Sequence, residues 1–249
     1  MKTASFLPLL IAMGLAADAW AGWVVTYKKD MSGETEQQLI EDGKFADGEA
    51  IATGDTLIML DHKRKRFWKG TVEGLCSEMK QFLAEMRASL PPEFRAKLDE
   101  PVQIEVRREE LGTAEIAGYQ SQGYRFYVGP DLDSEVWVSR DPRLAAFLRD
   151  VAPLEAMIEK FGSCLGSPMG GVDLEESPEY KEVTKGAWIM KESTGKSFGA
   201  GMADEAPGGG KLLFKTVVSI EQKDVPDSAF EPPAGYEQVD ELMRFMKQQ

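Results

Sequence analysis

The residue types that most often carry chemistry are scarce in this chain of 249 residues. It contains one histidine, His62, and two cysteines, Cys76 and Cys164. A serine-hydrolase triad could use only His62 as its base, and the G-x-S-x-G turn that positions many nucleophilic serines is absent. One histidine and two distant cysteines also lack the ligand spacing of a zinc site. These residues therefore predict neither a catalytic centre nor a metal site, and they imply no cofactor.

Two weaker patterns lead to the same expectation. "STGKS", residues 193–197, ends like a phosphate-binding loop, but the first glycine of that pattern would fall at Met190. Acidic pairs occur at Glu109-Glu110 and Glu175-Glu176. Glycoside hydrolysis needs two carboxylates set across a cleft, whereas neighbours in sequence are typical of solvated surface. We predict that the protein is not an enzyme.

The densest basic run, residues 62–66, contrasts with a chain whose formal net charge is −13. The segments "TLIML" and "RFWKG" flank this run and predict two paired strands, which places the basic residues at a hairpin tip. A nucleic-acid site would need basic residues spread over a surface, with aromatic rings that stack on bases. We therefore predict an exposed His62 in a solvated turn and no nucleic-acid partner. Contact of this turn with an acidic partner or a lipid headgroup is the alternative.

The first 21 residues have the three parts of a signal peptide. Lys2 supplies the positive charge, residues 6–17 form an apolar run, and residues 19–21 read Ala-Trp-Ala. The apolar run is shorter than the roughly 20 residues that a membrane-spanning helix needs. Cleavage is predicted between Ala21 and Gly22. Residues 22–249 are then expected to form a single exported, soluble, periplasmic domain with no transmembrane anchor.

The two cysteines have two interpretations. In an exported protein an even number of cysteines first indicates a disulfide, here Cys76–Cys164. Two free thiols used for redox chemistry are the alternative, although the C-x-x-C spacing of an oxidoreductase is missing.

Hydrophobic periodicity predicts the elements that position these residues. Alternation of apolar and polar residues, beginning at residue 22, predicts strands. Asp42-Gly43 predicts a hairpin turn. Thr71 is a candidate N-terminal cap of a helix that ends at Pro91-Pro92. Two further apolar stripes at helical spacing lie on either side of Pro153, and residues 181–193 are expected to be one strand. We predict about nine to eleven mostly antiparallel strands because the turns are short. The fold class is α+β, a curved antiparallel sheet packed against helices, with a mobile glycine-rich loop at about 193–211.

The C-terminal run "VPDSAFEPPAGYEQV", residues 225–239, ends with an F-x-x-P-x-G-Y phrase formed by Phe230, Pro233, Gly235 and Tyr236. This phrase and the middle run "IAGYQSQGYRFYVGPDLDSEVWVSRD" resemble a bacterial exported family of unknown function. That family is similar to LolA and LppX, periplasmic carriers of lipoproteins and lipids. The resemblance implies a LolA-like unclosed β-barrel with a helical lid over an apolar cavity. It brings no catalytic residues.

Apolar side chains on the predicted strands and on the helix after Thr71 are candidate walls of such a cavity, because methionine and aromatic walls adapt to acyl chains. The candidates are Trp23, Val25, Tyr27, Leu57, Met59, Phe67, Met79, Phe82, Met86 and Phe126. The expected function is a non-enzymatic binding or carrier protein for a lipid, a lipoprotein acyl chain or another apolar ligand. The alternative is an envelope interaction module with an ordinary filled core, whose partner is an envelope protein.

Overall fold

The computed structural model describes residues 22–29, 32–93, 95, 105–165, 174–194 and 213–246. The predicted signal peptide and most of the predicted glycine-rich loop lie outside these residues. Within them the strands form one sheet with two free edges. The predicted α+β class and the antiparallel character of the sheet are confirmed.

The sheet has twelve strands within the described residues, one more than the upper end of the expectation. They are β1 (Gly22–Lys29), β2 (Thr35–Glu41), β3 (Lys44–Ala46), β4 (Ala50–Thr53), β5 (Thr56–Asp61), β6 (Arg66–Thr71), β7 (Val106–Ile116), β8 (Tyr119–Val128), β9 (Asp131–Ser139), β10 (Trp188–Thr194), β11 (Leu213–Lys223) and β12 (Glu237–Val239). Their order is β12-β6-β5-β4-β3-β2-β1-β11-β10-β9-β8-β7. All neighbouring pairs are antiparallel except β12 and β6, which are parallel. The chain thus returns at its C-terminal end to extend the sheet at β6.

Local signals account for several element boundaries. Asp42 and Gly43 both have positive φ, at 48° and 72°, as a two-residue hairpin turn requires. α1 (Val72–Ser89) begins after Thr71, whose side chain accepts a hydrogen bond from the N–H of Gly74 at 3.0 Å. These two predictions are confirmed.

The apolar stripes on either side of Pro153 belong to one helix, α2 (Ala145–Leu165), in which Phe147, Val151 and Leu154 continue a single buried face across the proline, so the helical prediction for this region is confirmed. One prediction of secondary structure was wrong. The expected strand over 181–193 begins only at Trp188, since the preceding residues form α3 (Pro178–Thr184). Ser177 caps α3 and Pro178 occupies its first turn, a helix-start signal that outweighs the strand pattern. The last helix of the described residues is α4 (Leu242–Met246).

The two faces of the sheet are covered differently. On the helical face, three apolar clusters join the sheet to the helices and to the short 3-10 turns that precede α2 and α3. On the outer face, a fourth cluster includes Val24, Ile51 and Ile58 and is covered by Val225 and Phe230 of the closing segment. The outer-face cover includes a 3-10 turn, Asp227–Phe230, within an otherwise extended segment.

Candidate apolar ligand site

The floor of the candidate site is formed by β5 and β6 on the helical face. Leu57 pairs with Gly70 and Met59 pairs with Trp68 in the antiparallel register. The indole of Trp68 lies over Gly70, where a Cβ atom would fall within 3.0 Å of two ring atoms. Trp68 is 2% exposed, whereas Leu57 and Met59 are only half-buried around it. The floor therefore combines a fixed aromatic ring with two more accessible aliphatic side chains.

The wall is α1, whose apolar stripe changes in burial along its length. In the first turn, Val72 and Leu75 are buried at 2% and 4% exposure. Further along, Met79, Phe82 and Met86 follow at helical spacing and are half-buried. Met79 packs against the same cluster as Leu57 and Met59. We call Leu57, Met59, Met79, Phe82 and Met86 the apolar site; it contains five of the ten predicted wall residues.

Three other predicted wall residues lie in a filled core. Val25 and Tyr27 are buried in a cluster with Phe147 and Val151 of α2, and Trp23 packs against it. The rings of Trp23 and Phe147 meet edge to face, with centroids 5.5 Å apart. The indole N–H of Trp23 donates to a carboxylate of α2, Asp150, at 2.8 Å. Protein side chains thus occupy the space that a ligand would need at this part of the sheet.

The last two predicted wall residues are separated from the apolar site. Phe126 is fully buried in a cluster with Leu174, Tyr180 and Val183, beneath α3. Phe67 pairs with Leu60 and packs into the cluster on the outer face, opposite to Met59. The predicted set therefore does not line one cavity.

Charged groups delimit the filled core at one end of β1. Glu36 forms ion pairs with Lys29, at 2.6 Å, and with Lys215. Burial opposes the ionisation of Glu36, but hydrogen bonds from both lysines outweigh it and lower its pKa. Lys215 also lies 4.3 Å from the ring centroid of Tyr27, and burial strongly raises the pKa of that phenol. The charges of Glu36, Lys29 and Lys215 are therefore paired with one another on the sheet.

The basic hairpin tip has structural contacts that its sequence does not reveal. Asp61 accepts a hydrogen bond from Nε of Arg66 at 3.1 Å, and both side chains are nearly inaccessible to solvent. Burial opposes ionisation of Asp61, yet hydrogen bonds from the backbone of Arg64 and from Arg66 hold its pKa below the ordinary value. Arg66 also donates to the backbone oxygen of Phe245 in α4, at 3.2 Å. Arg66 thus binds the C-terminal helix, whereas residues 62–65 are exposed at the hairpin tip, as predicted for a solvated turn.

His62 joins three segments, although its ring is exposed as predicted. Its Nδ1 lies 2.6 Å from the hydroxyl of Tyr236, and its Nε2 contacts the backbone oxygen of Gly48. A carbonyl oxygen can only accept, so Nε2 carries a proton and donates to Gly48. In the neutral ring, Nδ1 then accepts the hydroxyl proton of Tyr236. His62 thus connects its own hairpin to the β3–β4 turn and to the glycine-tyrosine phrase of the C-terminal run.

Of the two cysteines in the predicted disulfide, the structure describes the side chain of Cys76 alone. Cys76 is buried at 7% exposure in the first turns of α1, and it is not a free thiol. α1 packs against α2, the helix that contains residue 164. The side chain of Cys164 lies outside the described residues, so the pairing of the two cysteines stays a prediction.

Two further findings concern metals and membranes. Within the described part of the chain, no three histidine, cysteine or carboxylate side chains come together in a way that could hold a metal ion. No helix of the described residues is long and apolar enough to cross a bilayer.

No protein-family model and no curated protein matches the chain. Among solved structures, an uncharacterized conserved protein from Thermus thermophilus aligns at 7% identity and a TM-score of 0.40, covering 90% of this chain and 92% of that one. PNGF-II aligns at 10% identity and a TM-score of 0.35, covering 91% of this chain and 32% of its own. MucB aligns at 11% identity and a TM-score of 0.30, covering 90% of this chain and 61% of its own.

This chain thus spans about a third of the PNGF-II chain and 61% of the MucB chain. TM-scores this low carry no argument about fold, ligand or activity. The resemblance to the LolA-like carriers stays a prediction.

Proposed function

We propose that this protein is an exported, periplasmic, non-enzymatic binding protein whose apolar site takes the acyl chain of a lipid or lipoprotein. The observation that carries this proposal is the change in burial along α1. Its apolar stripe is buried in the first turn and half-buried at Met79, Phe82 and Met86. Met79 packs into the same cluster as the half-buried Leu57 and Met59, and Phe82 and Met86 continue the stripe along the helix. The proposed site is therefore confined to the α1 side of the sheet.

The physical chemistry of these residues suits an acyl chain. Half-buried apolar surface remains in contact with water. Each methylene group of a ligand that becomes buried against this surface contributes roughly 0.8 kcal/mol to the free energy of binding. Three of the five side chains in the apolar site, Met79, Phe82 and Met86, belong to α1. The methionine side chains adapt to flexible ligands because their unbranched thioethers have several low-energy rotamers. A flexible chain rather than a rigid ring system is the expected ligand.

The filled core favours a second candidate, an envelope interaction module with no small ligand. Val25, Phe147 and Met190 are all fully buried, so this part of the helical face already has its packing partners. In this alternative the half-buried stripe of α1 contacts another protein.

Binding of cis-parinaric acid, a fluorescent fatty acid, tests the proposal through a matched pair of variants. Phe82→Asp places a carboxylate beside the acyl chain and is expected to weaken binding by about tenfold or more, because a charge is costly to desolvate. Ala84→Asp adds the same charge to an exposed position of the same helix and is expected to change binding less than about twofold.

Urea unfolding of both variants controls for loss of structure. If folded wild-type protein binds no fatty acid, or if the two variants weaken binding equally, the proposed site is wrong. The second candidate function, an envelope interaction module with no small ligand, is then the better supported one.

A further inference from the structure

The C-terminal segment Tyr236–Met246, which we call the clasp, lies on the floor of the apolar site. It comprises β12, a turn and α4. Leu242 and Phe245 of α4 are fully buried in the cluster that also holds Trp68 and Leu75. Leu57, Met59 and Met79 pack against that same cluster. Four side chains of the clasp, Val239, Leu242, Phe245 and Met246, thus pack onto the surface that an acyl chain would contact.

Polar contacts from β6, α1 and the basic hairpin tip hold the clasp. β12 has only three residues and lies at the edge of the sheet, where the N–H of Glu237 donates to the backbone oxygen of Lys65 at 3.0 Å. The N–H of Leu242 donates to the carboxylate of Glu78 in α1, at 3.2 Å. Arg66 and His62 add the contacts described above, with α4 and with Tyr236.

A cleft borders the turn of the clasp. A cavity of about 430 Å³ lies between Arg66, residues 237–241 and Arg244. Displacement of α4 from β6 exposes Leu242 and Phe245, which are fully buried when the clasp is closed.

We propose that the clasp and the ligand compete for the apolar site, so that acyl-chain binding requires α4 to leave the floor formed by Leu57 and Met59. This inference rests on the proposed function. Only molecules in which α4 has left the floor can bind the ligand. The measured dissociation constant is therefore the intrinsic dissociation constant divided by the fraction of molecules in this open state. Weakening the clasp without altering the apolar side chains therefore tightens ligand binding, whereas a merely structural C-terminal segment would leave it unchanged or weaken it.

Two substitutions weaken the clasp outside the apolar site. Tyr236→Phe removes the hydroxyl that contacts His62, and Glu78→Ala removes the acceptor of the Leu242 N–H. Loss of one such hydrogen bond is expected to raise the open fraction, and hence the affinity for cis-parinaric acid, about fivefold. Lys63→Ala, an exposed position of the same basic tip, is the control and is expected to leave the affinity unchanged.

Hydrogen exchange of the backbone amides supplies a second readout on the intact wild-type protein. Saturation with cis-parinaric acid should increase exchange in residues 237–246 and leave β8 and β9 unchanged. If the fatty acid binds but both variants keep the wild-type affinity, or if exchange in the clasp does not rise, the competition is refuted while the proposed function stands. If neither wild-type protein nor any variant binds the fatty acid, the proposed function fails and this inference fails with it.

Discussion

The contact between Trp68 and Gly70 offers a direct test of the floor on which both proposals depend. The indole lies over the glycine on the same face of β6, and a Cβ added there would come within 3.0 Å of two ring atoms. Trp68 is 2% exposed and packs against Leu75 and Phe245, so its ring has little room to move away. Gly70→Ala therefore forces the ring and its neighbours to shift.

The size of the effect follows from two opposing contributions. Overpacking a filled site lowers the free energy of unfolding by about 1–3 kcal/mol. Replacing glycine by alanine in an unstrained conformation raises it by about 0.4–1 kcal/mol, since the unfolded chain loses freedom. The expected net loss is about 1–2 kcal/mol, which corresponds to a decrease in Tm of about 2–8 °C for a domain of this size.

Urea unfolding followed by tryptophan fluorescence measures this loss. Gly48→Ala is the matched control, because an added Cβ there meets no atom within 4 Å and the backbone is not in the left-handed region. The control is expected to be as stable as wild type or up to about 1 kcal/mol more stable. If Gly70→Ala behaves like the control, Trp68 does not lie over Gly70 and the described floor is wrong.

Three further predictions concern other parts of the chain. Peptide mapping without reductant should recover Cys76 and Cys164 in one linked peptide pair, and recovery of both as free thiols would refute the disulfide. The intact mass of the exported protein should correspond to a first residue at Gly22; a secreted form that retains residues 1–21 would contradict export by signal cleavage. Hydrogen bonds from Arg143 lower the pKa of Asp141, so this carboxylate stabilises the fold above the unfolded pKa of about 3.9 and loses that contribution as pH falls further. Asp141→Asn should therefore lower stability at pH 7 and have a smaller effect below about pH 3, and an effect independent of pH would count against this ion pair.

Elements whose signals are local could be predicted from the sequence. The Asp42-Gly43 turn needs two residues that tolerate positive φ, and the start of α1 needs a side-chain acceptor at Thr71. The same logic applies to α3, where Ser177 and Pro178 form an equally local start, although the apolar spacing that follows favours a strand. The error there lies in the interpretation of the pattern, because the signal itself is present in the sequence.

The candidate site could be predicted only in part. Alternation along β5 and β6 separates the side chains into two faces, and the residues of α1 share one stripe. Alternation does not say which face a helix will cover. The prediction therefore groups Phe67 with Met59, although the structure places the two on opposite faces.

Tertiary structure alone decided where the helical face is filled and where it stays half-buried. Val25 and Met59 are both apolar strand residues, yet Val25 meets α2 and is fully buried while Met59 lies at the margin of its cluster. The parallel pairing of β12 with β6, and the contacts of His62 and Arg66 with the clasp, join residues more than 170 positions apart. Periodicity and caps act over a few residues, so the sequence determined the kinds of elements and the turns between neighbours. The burial of each side chain depends on which distant segment packs onto it, and that was decided by the folded chain as a whole.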